Sequence, residues 1–221
     1  MNKLFLILLL CVLYFSSCEK SKSIETYYGY EYFPSLVSKW ISYDVIQITW
    51  NDYTNMIDTS IYQLKELSES EIIDNAGRKS IRIERYIKTD TSNWVLNNVW
   101  TKCLTLTSAE KIEENIRFIK MKFPIDINTR WNGNEYNNLK EQMYFYKNIF
   151  TPFVLNENTF DSTITVINQD DFIPLYSKDF ESEVFAKNIG LVYKKQIHIK
   201  LNTNGIITSG KEITYKMNTY N

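Results

Sequence analysis

The chain is poor in the residues that most catalytic and cofactor chemistry requires. Its 221 residues include one histidine, three cysteines, six glycines and four prolines. A hydrolytic triad or a Cys-His pair needs a base beside its nucleophile, and His198 is the one histidine that could serve. Structural zinc needs about three or four His, Cys or carboxylate ligands, so a metal centre is not expected. Neither GxxxxGK[ST] nor GxGxxG occurs, which removes the usual phosphate-cradling loops, and no cofactor is expected. Charge of one sign is missing too. Lys+Arg 25 against Asp+Glu 26 leaves a net charge of -1, without the basic excess of a nucleic-acid binder. Aromatic residues, by contrast, are abundant at 15% of the chain, with 16 Tyr, 12 Phe and 5 Trp. So few glycines and prolines leave Asn and Asp to make many of the turns.

The longest apolar run is at the N-terminus. Lys3 precedes LFLILLLCVLYF, Leu4 to Phe15, a run suited to the apolar region of a signal peptide and short for a bilayer span. Ser16-Ser17-Cys18 follows and resembles the lipobox of bacterial lipoproteins, which predicts a leader over 1–17 and lipidation of Cys18. Phe15 stands where that box usually has Leu. Acyl chains contribute roughly 0.8 kcal/mol per buried CH₂, so several on one cysteine form a lasting membrane anchor. Glu19, rather than the Asp that retains enterobacterial lipoproteins at the inner membrane, points to outer-membrane delivery. Loss of the leader removes Cys11, and lipid consumes Cys18. Only Cys103 is then free, so no internal disulfide is expected in an oxidising compartment. Cys103 lies in the strand-like VWTKCLTLT, with no basic cluster beside it in sequence, and reads as a buried structural thiol.

Residues 18–26 read as a short polar tether, and 27–221 as one β domain. Period-two alternation marks Lys39 to Trp50, Ile61 to Leu67, and a strand in which Ile81, Ile83 and Ile87 oppose Arg82, Glu84, Tyr86 and Lys88. Asp74-Asn75-Ala76-Gly77 and Asn204-Gly205 are turn chemistry. Trp94 to Thr107 reads as a strand whose partner is Asn115 to Phe123. The segment Glu110 to Lys122 fits either an amphipathic helix or a strand, and the strand is preferred. Gln142 to Ile149, Phe160 to Asn168, Gly190 to Leu201 and Lys211 to Tyr220 read as further strands. Asp179 to Asn188 is the one short-helix candidate, with acidic residues early and Lys187 late. The prediction is all-β: a single antiparallel, curved or barrel-like domain of about nine to ten strands with one short helix.

Four segments carry a wider resemblance. YFPSLVSKWISYDV, RIERY, FPIDINTRWNGNEYN and EVFAKNIGLVYK are similar to blocks of a large group of uncharacterised secreted lipoproteins from anaerobic and marine Gram-negative bacteria. The matching stretches include Trp131-Asn132-Gly133-Asn134 and Glu183 to Lys194, with Phe185 where Tyr is common in the group. The resemblance implies an envelope lipoprotein with a β fold. It supplies no catalytic residues.

Candidate sites are therefore few. His198 is expected to face solvent beside Lys194, Gln196 and Lys200. Glu183, Asp170, Asp171, Glu141 and Asp44 could supply a carboxylate pair for a glycosidase. Trp40, Trp50, Trp94, Trp100 and Trp131 are candidates for stacking on a ligand, although packing is the default role for most. Trp131, beside an Asn-Gly turn, is the ring singled out as a ligand-binding candidate, with packing under that loop as its preferred role. The leading expectation is a non-enzymatic, membrane-anchored module that binds a small ligand. The alternatives are an accessory protein docking another envelope component and, less favoured, a carboxylate-dependent hydrolase.

Overall fold

The computed structural model describes residues 26–90 and 93–221. The expected leader, Cys18 and nearly all of the tether lie outside the described residues. The regular structure of the described chain is almost wholly antiparallel strand: β1 (Trp40–Trp50), β2 (Ile57–Ile73), β3 (Lys79–Lys88), β4 (Val95–Leu104), β5 (Ser108–Glu113), β6 (Ile116–Lys122), β7 (Arg130–Asn132), β8 (Met143–Leu155), β9 (Asn158–Ile173), β10 (Ser177–Ala186), β11 (Gly190–Leu201) and β12 (Ile207–Tyr220). A 3-10 turn at Tyr30–Tyr32 is the one helical piece among the described residues.

The twelve strands form one sheet in the order β6-β5-β4-β3-β2-β1-β12-β11-β10-β9-β8-β7. Each hairpin pairs with its chain neighbour, and the first strand pairs with the last. The sheet's two edges, β6 and β7, then meet. The Ile119 amide donates to the Gly133 carbonyl at 2.9 Å, and the Trp131 indole N–H donates to the Ile119 carbonyl at 2.8 Å. This seam makes the sheet a nearly closed barrel and covers edges that would otherwise present unpaired backbone.

The turns are made as a glycine-poor sequence requires. Asn55, Asp90, Asn115, Asn156 and Asn188 all take left-handed φ, which short Asx side chains tolerate. Glu114 and Asn115, both left-handed, close the tight β5–β6 hairpin. Asp74 Oδ1 accepts from the Ala76 and Arg78 amides, and Asn202 Oδ1 from those of Asn204 and Ile206. At Gly133 the constraint is close approach, because a Cβ there would lie 2.2 Å from the Tyr144 ring.

Three expectations are corrected. The strands number twelve rather than nine or ten. The helix expected over Asp179 to Asn188 is strand β10. Its Glu181 and Glu183 alternate as well as they cluster, and their carboxylates meet Lys194 rather than a helix N-terminus. The partner of β4 is β5, not the Asn115 to Phe123 run, because the Glu114-Asn115 turn inserts a strand between them. The strand reading of Glu110 to Lys122 holds, as two strands.

The apolar core has two clusters. One gathers Ile119, Met121, Trp131, Tyr144, Tyr146 and Ile164 at the seam. The other gathers Tyr43, Val45, Leu64, Phe160, Val184 and Val192 where β1, β2 and the β8–β9 hairpin pack.

Candidate ligand cavity

Between these apolar regions the barrel holds charges. Register sets Lys102 on β4 directly opposite Lys111 on β5, a like-charge pair that needs an anion nearby. Glu66 on β2 supplies it. The Lys111 ammonium donates to both Glu66 oxygens, at 3.1 and 2.9 Å, and Arg85 Nε donates to Oε1 at 3.0 Å. The Arg85 guanidinium also stacks 3.5 Å from the Trp100 ring centre, with the Lys111 ammonium 4.7 Å away from it. Burial opposes ionisation of Glu66, but Lys111 and Arg85 outweigh it and hold its carboxyl down at about 2.

A second group faces the first. Glu183 on β10 is cross-strand to Lys194 on β11, whose ammonium lies 3.2 Å from Glu183 and 3.1 Å from Glu181. Lys120 reaches over from β6 to Glu183 at 2.9 Å and to Glu113 at 3.5 Å. Only 2% of the Glu183 side chain meets solvent. Burial raises its pKa, yet the two lysines prevail and keep it well below the usual carboxylate range. Burial works against Lys120 and Lys194 as well, and their carboxylate neighbours overcome it and lift both above the ordinary lysine value.

Five cations (Arg85, Lys102, Lys111, Lys120, Lys194) thus share the interior with four carboxylates (Glu66, Glu113, Glu181, Glu183). Lys102 is the cation left over. Among the described residues it has no carboxylate within 4 Å, and its ammonium donates to the Pro34 carbonyl at 2.8 Å. Burial, joined by the repulsion of Lys111 and only partly offset by Glu66, pulls it down to about 8.

These charges floor a cavity of about 280 Å³. Glu66, Lys102, Lys111, Lys120 and Glu183 line its deep part, while Phe33, Pro34, Leu36, Trp40, Phe185 and Tyr220 line its walls and mouth. Leu36, 60% exposed, marks the open end and Glu183, at 2%, the closed one, while Phe33 and Phe185 are buried beside the charges and Glu66 and Lys102 are half-buried. The volume lies just under the common ligand-pocket range of about 300–1,000 Å³. An apolar wall with a few convergent charges suits orientation and retention of a small molecule.

The residues singled out in the sequence fall in different places. Trp131 is buried at 4% exposure, with its N–H bonded to Ile119 and its ring against Tyr144 and Tyr146. No face of the ring remains for stacking, so Trp131 takes the preferred packing role and its ligand-binding candidacy is withdrawn. Trp40 is the tryptophan that lines the cavity. Cys103 is buried, its thiol 3.4 Å from the Lys79 carbonyl. His198 is exposed as expected and pairs with Asp179 at 2.9 Å, whereas Lys194 of the same strand face is buried, because only part of β11 lines the interior.

Glu141, Asp44, Asp170 and Asp171 are exposed, so Glu183 alone of the carboxylates singled out reaches the cavity. Held ionised by two lysines, Glu183 is unsuited to donate a proton. Among the described residues no group of three or more His, Cys, Asp or Glu is placed to hold a metal, and no helix is long and apolar enough to cross a membrane. The buried cations escaped the sequence reading. Their one signal was Lys or Arg at positions that alternate in phase with apolar core residues, as Arg85 does with Ile81 and Ile83.

No family model and no curated protein matches this chain. Two solved structures align with it over 85% of its length and 98% of theirs. One, from Bacteroides fragilis NCTC 9343, is described as "a putative exported protein with YmcC-like fold" and aligns at 9% identity with a TM-score of 0.45. The other, from Parabacteroides distasonis ATCC 8503, is described as "a putative lipoprotein" and aligns at 8% identity with a TM-score of 0.42.

Proposed function

We propose that this protein is a lipid-anchored envelope lipoprotein, delivered to the outer membrane, whose barrel binds a small ligand without transforming it. The cavity carries the reading. Buried charge is costly, and replacing buried ion pairs by apolar side chains is often neutral or stabilising, so a charged interior beside an open pocket is well suited to function rather than stability. The lipobox-like Ser16-Ser17-Cys18 supports the anchor, and Glu19 the outer membrane.

Two measurements test the reading together. Cys18→Ser should release the protein from the membrane fraction, and equal retention of variant and wild type would remove the anchor. Native mass spectrometry of the full chain from its own membranes should show a retained low-mass species. Ser68→Phe, which grows a ring into the cavity, should lose that species. A wild-type protein that never carries one, with or without added envelope extract, would remove the binding role.

The accessory reading has an observation of its own. At the end of β1 and β12 away from the cavity mouth, Trp50, Met56, Ile57 and Ile206 line a shallow depression, and Tyr53 nearby is 98% exposed. The β9–β10 turn joins this end, with Leu175 3.9 Å from where a Cβ of Gly205 would sit. Cross-linking of Tyr53 to an envelope protein in intact cells would favour docking as a role.

A further inference from the structure

We infer that the ligand is an anionic amphiphile, a carboxylate or phosphate joined to a short apolar body, held with its anion against Lys102 and its apolar part among Phe33, Leu36 and Trp40. The inference rests on the ligand-binding reading of the cavity and adds the chemical class.

Charge and shape carry it. The interior has one more cation than carboxylates, and the surplus falls on Lys102, which lines the cavity and is bonded to a single neutral carbonyl. An anion delivered there completes the pairing of Lys102 and relieves its repulsion with Lys111. A cationic ligand would meet an uncompensated ammonium, and a neutral one would leave it unpaired. The carboxylates cannot exchange roles, since Glu66 already spans Lys111 and Arg85, and Glu183 spans Lys120 and Lys194. Above this floor most of the wall is apolar, from Phe33, Pro34, Leu36, Trp40 and Leu191, with the exposed Lys39, Asn188 and Asn221 at the rim, so a short hydrocarbon body fits between the buried charges and a polar mouth.

The same geometry makes recognition depend on pH. The charged and titratable groups around Lys102 are Glu66 on β2, Lys111 on β5, Lys120 on β6, Glu183 on β10, Tyr43 on β1, and Lys39 and Tyr220 at the mouth. Glu66 and Glu183 are held ionised far below neutrality, Lys120 is held charged above the ordinary lysine range, and burial keeps Tyr43 neutral. Lys102, pulled down to about 8, loses its proton as pH rises from 7 to 10.

The test uses the full chain in lipid nanodiscs and six-carbon probes that partition weakly into bilayers: hexanoate, hexyl phosphate, hexanol and hexylammonium, each titrated calorimetrically. At pH 7 hexanoate or hexyl phosphate should bind at least tenfold more tightly than hexanol, and hexylammonium should not bind. The stronger of the two anions identifies the source, a fatty-acid type carboxylate or a lipid-type phosphate. Preference over hexanol should fade between pH 7 and 10. Lys102→Met should abolish both the preference and its pH dependence while still binding hexanol. Should Lys102→Met fail to fold, the wild-type pH titration alone decides. Equal binding of hexanol and both anions would overturn the anionic class and leave the cavity reading standing. Absence of binding by all four probes would overturn both.

Discussion

Two buried charge clusters sit on opposite faces of β5, and they differ in one respect. On the face away from the cavity, Arg78 bonds both Asp74 and Glu110, Arg117 bonds Glu110, and Ser108 Oγ donates to Glu110 at 3.1 Å. Two cations meet two carboxylates, and none of the four lines the cavity. On the inner face five cations meet four carboxylates, and the cavity opens at the unmatched one. The outer cluster has the composition of a structural clasp. It ties the β2–β3 turn to the β5–β6 hairpin, and its two arginines remain partly exposed, at 34% and 21%. The inner cluster is more deeply buried and uncompensated. A purely structural network gains nothing from an unmatched cation, because burying charge without a partner costs several kcal/mol. The contrast separates charge that holds the fold from charge that awaits a partner.

One substitution made at both places sharpens the contrast and gives the largest expected effect. Glu183→Gln removes the shared partner of Lys120 and Lys194 and leaves them Glu113 and Glu181, but the two lysine side chains are only 5% and 10% exposed and cannot regain water. It should cost about 3–5 kcal/mol, the usual penalty for breaking a buried ion pair. Glu110→Gln removes a carboxylate just as buried, but Arg78 and Arg117 can turn to solvent and Asp74 remains. Its cost should be nearer about 1–3 kcal/mol. Urea unfolding monitored by tryptophan fluorescence checks both, and a larger loss at Glu110 than at Glu183 would reverse the ranking of the two clusters.

Acid should act on both clusters. Burial raises the pKa of Glu66 and Asp74, but Lys111 and Arg85 for one, and the Arg78 and Ala76 hydrogen bonds for the other, win and hold each at about 2. Both folded values lie below the unfolded ones near 4. Their contribution to stability is therefore complete above the unfolded range and is lost as pH falls through it toward about 2. Stability should be flat down to about pH 5 and then fall. Glu66→Gln should lower stability at neutral pH and flatten the decline. A variant that declines in acid as steeply as the wild type would show that Glu66 is not held ionised by its partners.

The sequence made the strands easier to read than the site. β1, β3 and β11 show alternation because one face packs and the other meets water. β8 was harder, since Pro152 and three register shifts break its period while the strand continues to Leu155. β10 was misread because Glu181 and Glu183 look like the acidic first turn of a helix, and only tertiary structure brings Lys120 and Lys194 to them. The cavity stayed hidden for a related reason. Lys102, Lys111, Glu66 and Lys194 carry the residue types of a solvent face, and alternation reports which residues share a face without saying what lies across the barrel. Trp131 was read through its neighbours in sequence, Asn132 and Gly133. Its real neighbours, Ile119 and Tyr146, come from β6 and β8 on either side of the seam.

The smallest expected effect lies outside both clusters. His198 Nδ1 and Asp179 Oδ1 are 2.9 Å apart on directly opposed positions of β11 and β10, so the pair resembles the interior ones in geometry. Its environment differs, since the two side chains are 44% and 33% exposed. Water and salt screen such a pair, and the entropy of fixing two side chains offsets much of the attraction. His198→Gln, which keeps a hydrogen-bonding side chain in place, should change stability by at most about 1 kcal/mol. It should leave probe binding in the cavity unaltered. Thermal unfolding at low and at high salt measures the first, and the hexanoate titration measures the second. A loss comparable to that of Glu183→Gln would mean that burial is not what separates the strong charge pairs of this barrel from the weak ones.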